Sequence, residues 1–139
     1  CGALCGEAVV FTHNSTPKHF FTTVKQHGAL LAKGRLLGIQ FDTLFTDNLY
    51  LRVARHANEM AERLRGIFIS HGIQMGVDSP TNQQFVILTP QEKEQLMESI
   101  AFEVWSPLPD GNILCRFVTS WATTEEDLEA LDKALAGLA

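Results

Sequence analysis

Arg116 is the residue of this chain best suited to recognise a small anion. It lies between Cys115 and Phe117 in the apolar run from Ile113 to Ser120, and a charge inside such a run needs a partner. A guanidinium is planar and permanently charged, and it meets a carboxylate through two parallel hydrogen bonds. Two readings fit: an anchor for an α-carboxylate, or an arginine on the solvent side of an alternating strand paired with Asp or Glu. Lys33 and Arg35 form a second basic group within Lys25–Gly38, a stretch punctuated by Gly28, Gly34 and Gly38. Glycine costs about 1 kcal/mol relative to alanine inside a helix, so a close backbone approach is expected there. By residue type alone, either cation reads as a solvated helix cation.

The other reactive side chains offer less. Cys1 could act as an N-terminal nucleophile with its own α-amine as base. That chemistry needs two stacked sheets directly after the nucleophile, whereas helical patterns follow Pro17 and Asp47. Cys5 and Cys115 sit in apolar runs and read as small core residues. A metal site built on Cys1 and Cys5 lacks partners, because the five histidines show no ligand spacing. His13, His19, His27 and His71 read as surface residues, and His56, beside Arg52 and Arg55, as a helix-packing residue. Trp105 and Trp121 read as core or interface aromatics.

The elements that must position these residues follow from pattern and punctuation. Ala8-Val9-Val10-Phe11 is a continuous apolar run that reads as a buried strand within Gly6–His13. Thr16-Pro17 opens a helix predicted to carry Phe20, Phe21, Val24, Leu30 and Leu31 as far as Lys33. A longer helix runs from Asp47, its N-cap, to about His71-Gly72, with Leu49, Val53, Ala57, Met60, Leu64 and Phe68 on one face. Strands are predicted over Ile73–Val77, Phe85–Leu88, Phe102–Trp105 and Ile113–Ser120. A helix capped by Thr89-Pro90 separates the middle two and ends near Glu98. The last helix begins at Thr123 or Thr124, where Thr123 and Glu126 have capping-box spacing, and ends near Gly137. The final 70 or so residues therefore read as a small α+β layer, an antiparallel sheet with helices on one face. The first strand finds no partner there, so its sheet is expected upstream and the chain is expected to be the back part of a longer protein.

Composition narrows the function classes. The 139 residues are 45% hydrophobic and 19% charged, with a net charge of −5. That is ordinary globular composition, and the dispersed basic residues supply no block for phosphates in series. No apolar run approaches the roughly 18 residues needed to cross a bilayer. Three cysteines make no disulfide framework and suit a reducing compartment.

Several stretches, in order, resemble one family. CGALCGEAVVF at the start is similar to the segment that follows the Schiff-base lysine of pyridoxal-phosphate enzymes of the threonine aldolase and β-eliminating lyase family. KQHGALLAKGRLLG resembles that family's basic, glycine-containing segment that reaches a cofactor phosphate. Arg55-His56-Ala57-Asn58, Thr81-Asn82, Arg116-Phe117-Val118-Thr119-Ser120-Trp121 and Thr124-Glu125-Glu126-Asp127 continue the match. The resemblance implies an α/β protein of fold type I, in part. Residues 1–46 would end the large cofactor domain, 47–72 would form a linking helix, and 73–139 a small C-terminal α+β domain with an antiparallel sheet.

It also implies a function. The parent would be a cytoplasmic lyase or aldolase that uses pyridoxal 5′-phosphate to cleave a β-hydroxy amino acid of threonine or allo-threonine type to glycine and an aldehyde. The lysine would be the residue just before Cys1, and this fragment alone would be inactive. Arg116 would bind the substrate carboxylate. Lys33, or Arg35 as the alternative, would reach the phosphate of a neighbouring subunit in a homodimer or homotetramer. A departure tells against Lys33: Ala29-Leu30-Leu31-Ala32 stands where the family often has glycines. The expected partners are a small amino-acid substrate and the upstream part of the same enzyme, with no metal, nucleic acid or membrane. A non-catalytic α+β domain that binds or senses a small molecule is the alternative.

Overall fold

A computed structural model describes residues 2–6 and 8–138. The chain divides into two compact units, Gly2–Tyr50 and the remainder from Leu51. Cys1 lies outside the described residues, so the nucleophile reading of its thiol has no structural counterpart here.

The first unit contains α1 (Phe20–Gln26) and α2 (Arg35–Phe45), followed by a single 3-10 turn over Thr46–Asn48. The helix expected to run from Pro17 to Lys33 is much shorter. Its N-cap is His19, in a left-handed conformation, rather than Thr16. It stops where Gly28 adopts φ +64, which lets the amides of Gly28 and Ala29 close on the carbonyls of Lys25 and Val24. Leu30 and Leu31 therefore lie in the connection, about half exposed. Helix α2 was not foreseen, because Gly34 and Gly38 read as interruptions. Gly34 is its N-cap and Gly38 lies inside it, with nothing within 4 Å of a Cβ added at Gly38. No close approach demands that glycine.

Residues 8–11 pair with no described strand, and Val9 and Val10 are 67% and 80% exposed. A strand exists only through its ladder, so residues 8–11 form none among the described residues. Gln40 organises this end of the unit, its Oε1 accepting from the amides of Leu4 (2.8 Å) and Cys5 (3.0 Å). No residue of α1 or α2 is buried.

The second unit is built on a four-stranded antiparallel sheet in the order β1-β2-β4-β3. The strands are β1 (Gln74–Val77), β2 (Gln83–Leu88), β3 (Glu103–Pro107) and β4 (Ile113–Val118). Helix α3 (Leu49–Ser70) leads into it, α4 (Pro90–Met97) separates β2 from β3, and α5 (Glu125–Ala136) ends it. Alternation decides the core. Val86, Leu88, Cys115 and Phe117 point to one face and cluster with Met60, Leu64 and Phe68 of α3, Leu96 of α4 and Leu128, Leu131 and Leu135 of α5. Phe117 is sandwiched by Phe68, edge-on at 4.8 Å, and Phe102, stacked at 4.6 Å.

Punctuation behaves here as the residue types dictate. Thr89 and Glu92 form a reciprocal capping box on α4 with Pro90 in the first turn. Helix α5 is capped by Thr124 with Asp127 rather than by Thr123 with Glu126; the Thr123 hydroxyl instead accepts from the Ser120 amide. Asp47 caps nothing: it sits in the 3-10 turn at φ 49, and α3 starts two residues later. Gly76 lies at a register shift in β1, where a Cβ would stand 2.3 Å from the end of the Leu114 side chain, so a larger residue there would force Leu114 to move.

Candidate functional site

Arg116 lies on the sheet face opposite the core. In register, Arg116 of β4 lies between Phe85 of β2 and Glu103 of β3. Its side chain is one-quarter exposed. Nη1 donates to Gln83 Oε1 at 3.0 Å, and Nη2 makes an ion pair with Glu103 Oε2. The Trp105 ring lies 4.8 Å from Cζ, a cation–π contact, and Trp105 meets Phe85 edge-to-face at 5.4 Å. Arg116 Nε is buried without an acceptor. Arg116 is thus paired with a glutamate, and its side chain stays one-quarter exposed on this face.

The start of β2 is fastened by a polar network that fixes where Gln83 stands. Buried Gln84 donates through Nε2 to the carbonyls of Ser79 (3.1 Å) and Thr81 (2.8 Å). Asn82 Nδ2 donates to the carbonyl of Thr119 (2.7 Å), and the Thr119 amide donates back to the Asn82 carbonyl. Trp105, read from sequence as core or interface, is half exposed, which excludes the core, and lies over the arginine.

Lys33 and Arg35 belong to the other unit, in the turn before α2 and at its first residue. Both are exposed, and neither forms an ion pair among the described residues. A cation at a helix N-terminus opposes the macrodipole, so Arg35 is not placed there to stabilise α2.

Cys115 is buried, and desolvation pushes its thiol pKa up against a smaller opposing effect of Lys93. Cys5, expected in the core, is exposed because the run that contains it joins no sheet. His56 packs as a helix residue, its Nε2 2.9 Å from the Thr123 carbonyl. His71, expected at the surface, is three-quarters buried and paired with Asp132 of α5 at 2.6 Å. Among the described residues no three His, Cys, Asp or Glu side chains gather as metal ligands, and no helix is long and apolar enough to cross a membrane.

The chain as a whole is similar to known proteins. No family model matches the chain. It is 29% identical over 132 residues to a low specificity L-threonine aldolase from a Pseudomonas species, and 28% identical over 131 residues to the one from Pseudomonas aeruginosa. Each match takes in 94% of this chain and 37% of the relative. The Leishmania major threonine aldolase structure superposes with a TM-score of 0.83 at 36% identity, over 88% of this chain and 36% of that one. The chain is similar to one part of these threonine aldolases. It spans little more than a third of the length of those threonine aldolases. Serine palmitoyltransferase from Sphingomonas wittichii shares the fold at 20% identity, with a TM-score of 0.52 over 60% of this chain. The architecture is thus part of fold type I, as the sequence motifs implied.

Proposed function

We propose that this chain is the C-terminal part of a pyridoxal-phosphate aldolase that cleaves a β-hydroxy amino acid of the threonine or allo-threonine type to glycine and an aldehyde. The observation that carries the proposal is Arg116, a guanidinium one-quarter exposed on the sheet face away from the core, in a chain similar to threonine aldolases. Arg116 holds the substrate carboxylate, and its strand position fixes the direction from which the amino acid is gripped. The cofactor, when bound, takes up the electron pair released as the Cα–Cβ bond breaks.

The residues present fit such a cofactor at its phosphate. Lys33 and Arg35 are exposed cations beside the first turn of an 11-residue helix. In this reading one of them reaches the phosphate of a neighbouring subunit, so the enzyme is an oligomer, a homodimer or homotetramer. The cofactor-bearing lysine lies outside these residues, so the fragment is inactive by itself. Residues 1–46 end the cofactor domain, 47–72 link it, and 73–139 form the small domain. The exposed Val9, Val10, Leu36 and Ile39 are apolar side chains of the kind that a further part of the enzyme would cover.

The test is direct. The complete protein, loaded with pyridoxal phosphate and given threonine or allo-threonine, should release glycine and acetaldehyde, and the 139 residues alone should release neither. A loaded complete protein that cleaves no β-hydroxy amino acid contradicts the proposal. Activity that survives in the fragment contradicts the placement of the lysine.

A further inference from the structure

The four groups around Arg116 are not equivalent. Gln83 and Trp105 are neutral: one accepts a hydrogen bond from Nη1 and the other lies over the guanidinium face. Both orient the side chain without cancelling its charge. Phe85 faces it across the β2–β4 ladder and supports Trp105. Glu103 alone is charged. It stands opposite Arg116 on β3, an edge strand of the sheet, and its side chain is 54% exposed against 25% for the arginine.

Glu103 engages the guanidinium with one oxygen, Oε2, on one nitrogen, Nη2. A guanidinium has five N–H donors, and the form of pairing it favours is two parallel bonds to both oxygens of a carboxylate. The Glu103 contact is therefore the weaker, single-bond form, made at a position where water competes. While it lasts, Arg116 and Glu103 together carry no net charge to attract another anion.

Resting on the reading of Arg116 as carboxylate anchor, we propose that Glu103 is an exchangeable placeholder. Its carboxylate occupies Arg116 in the free enzyme and is displaced by the substrate's α-carboxylate, while Gln83 and Trp105 stay in place as positioning residues. Glu103 then sets substrate affinity by competition. An ordinary supporting ion pair would act in the opposite sense, because its loss would weaken binding.

The sign of the effect decides. In the complete holoenzyme, Glu103→Gln should tighten glycine binding, measured by calorimetric titration, by roughly two- to fivefold, the factor expected on removing a half-exposed ion pair. The KM for threonine should fall with it, and the affinity for glycinamide, which lacks the carboxylate, should not change. Glu103→Ala, which cannot bond to Arg116 at all, should shift glycine binding in the same direction. Unchanged or weaker glycine binding in both variants overturns the exchange and leaves Glu103 as a structural partner. Failure of the anchor itself is seen separately: Arg116→Lys would then weaken glycine and glycinamide alike.

Discussion

Thr119 donates its hydroxyl to the carbonyl of Ala57, 2.6 Å away, joining the residue just beyond β4 to the middle of α3. Both residues are buried, and the Thr119 backbone is bonded to Asn82 at the start of β2. The strand that carries Arg116 is thereby fixed against a helix at one end and a neighbouring strand at its side.

Thr119→Val keeps the shape and removes this bond. It should destabilise the protein by about 1–3 kcal/mol, since a buried hydrogen bond is lost and no water replaces it. Urea unfolding with the midpoint and slope both recorded measures this. A change below about 0.3 kcal/mol would mean that the hydroxyl contributes nothing net.

Leu64 faces the core from α3 and also lines a groove of about 330 Å³ with Ile100, Phe117, Thr119 and Leu131. Leu64→Ala should cost about 2–5 kcal/mol, toward the lower end because an open groove allows the site to relax. A cost below about 1 kcal/mol in the complete protein would show that this face of α3 is not packed.

Cys115 gives a pH dependence with a defined sign. Burial raises its thiol pKa above the ordinary value of 9.0, so the folded state retains a proton that the unfolded state gives up sooner. The stability this supplies is complete below pH 9.0 and is lost as the pH rises toward the folded value. The unfolding midpoint should therefore fall more steeply above pH 9 in the wild type than in Cys115→Ala. Parallel profiles for the two proteins would contradict this.

How much of this was legible depended on whether a signal was local. Helices α4 and α5 carry their start chemistry within four residues, so both were legible, although the α5 box is Thr124 with Asp127, one residue on from the expected Thr123 with Glu126. The α3 apolar face, Ala57, Met60, Leu64 and Phe68, showed in its spacing. Helix α2 was hidden by Gly38, a glycine that costs a helix something but does not end it. The expected strand over 8–11 depends on a ladder partner, which no local pattern reveals. Arg116 stood out as a lone charge in an apolar run. Its partners Gln83, Glu103 and Trp105 did not, because they meet it only once the order β2-β4-β3 and the register are known. The only trace was the two-residue spacing of Gln83 with Phe85 and of Glu103 with Trp105.

Lys33 and Arg35 separate by substitution. If one reaches a cofactor phosphate across a subunit boundary, its change to Ala should weaken cofactor retention on dialysis by about tenfold or more, the loss of one charge-assisted contact. Turnover by the retained fraction should suffer much less. Equal retention in both single variants and in the double variant would exclude the role, as would a fully active monomeric holoenzyme.

The central claim is that Arg116 grips the α-carboxylate, and Arg116→Lys tests it most directly. Lysine keeps the charge but loses the planar two-bond geometry. Binding of an amino acid and of its decarboxylated amine to the complete enzyme should be compared in wild type and variant. The account predicts that the amino acid loses roughly 10-fold to 100-fold in affinity, equivalent to about 1.5–3 kcal/mol, while the amine is unchanged. Equal losses for both ligands, or none for either, would contradict it and leave Arg116 as the structural partner of Glu103.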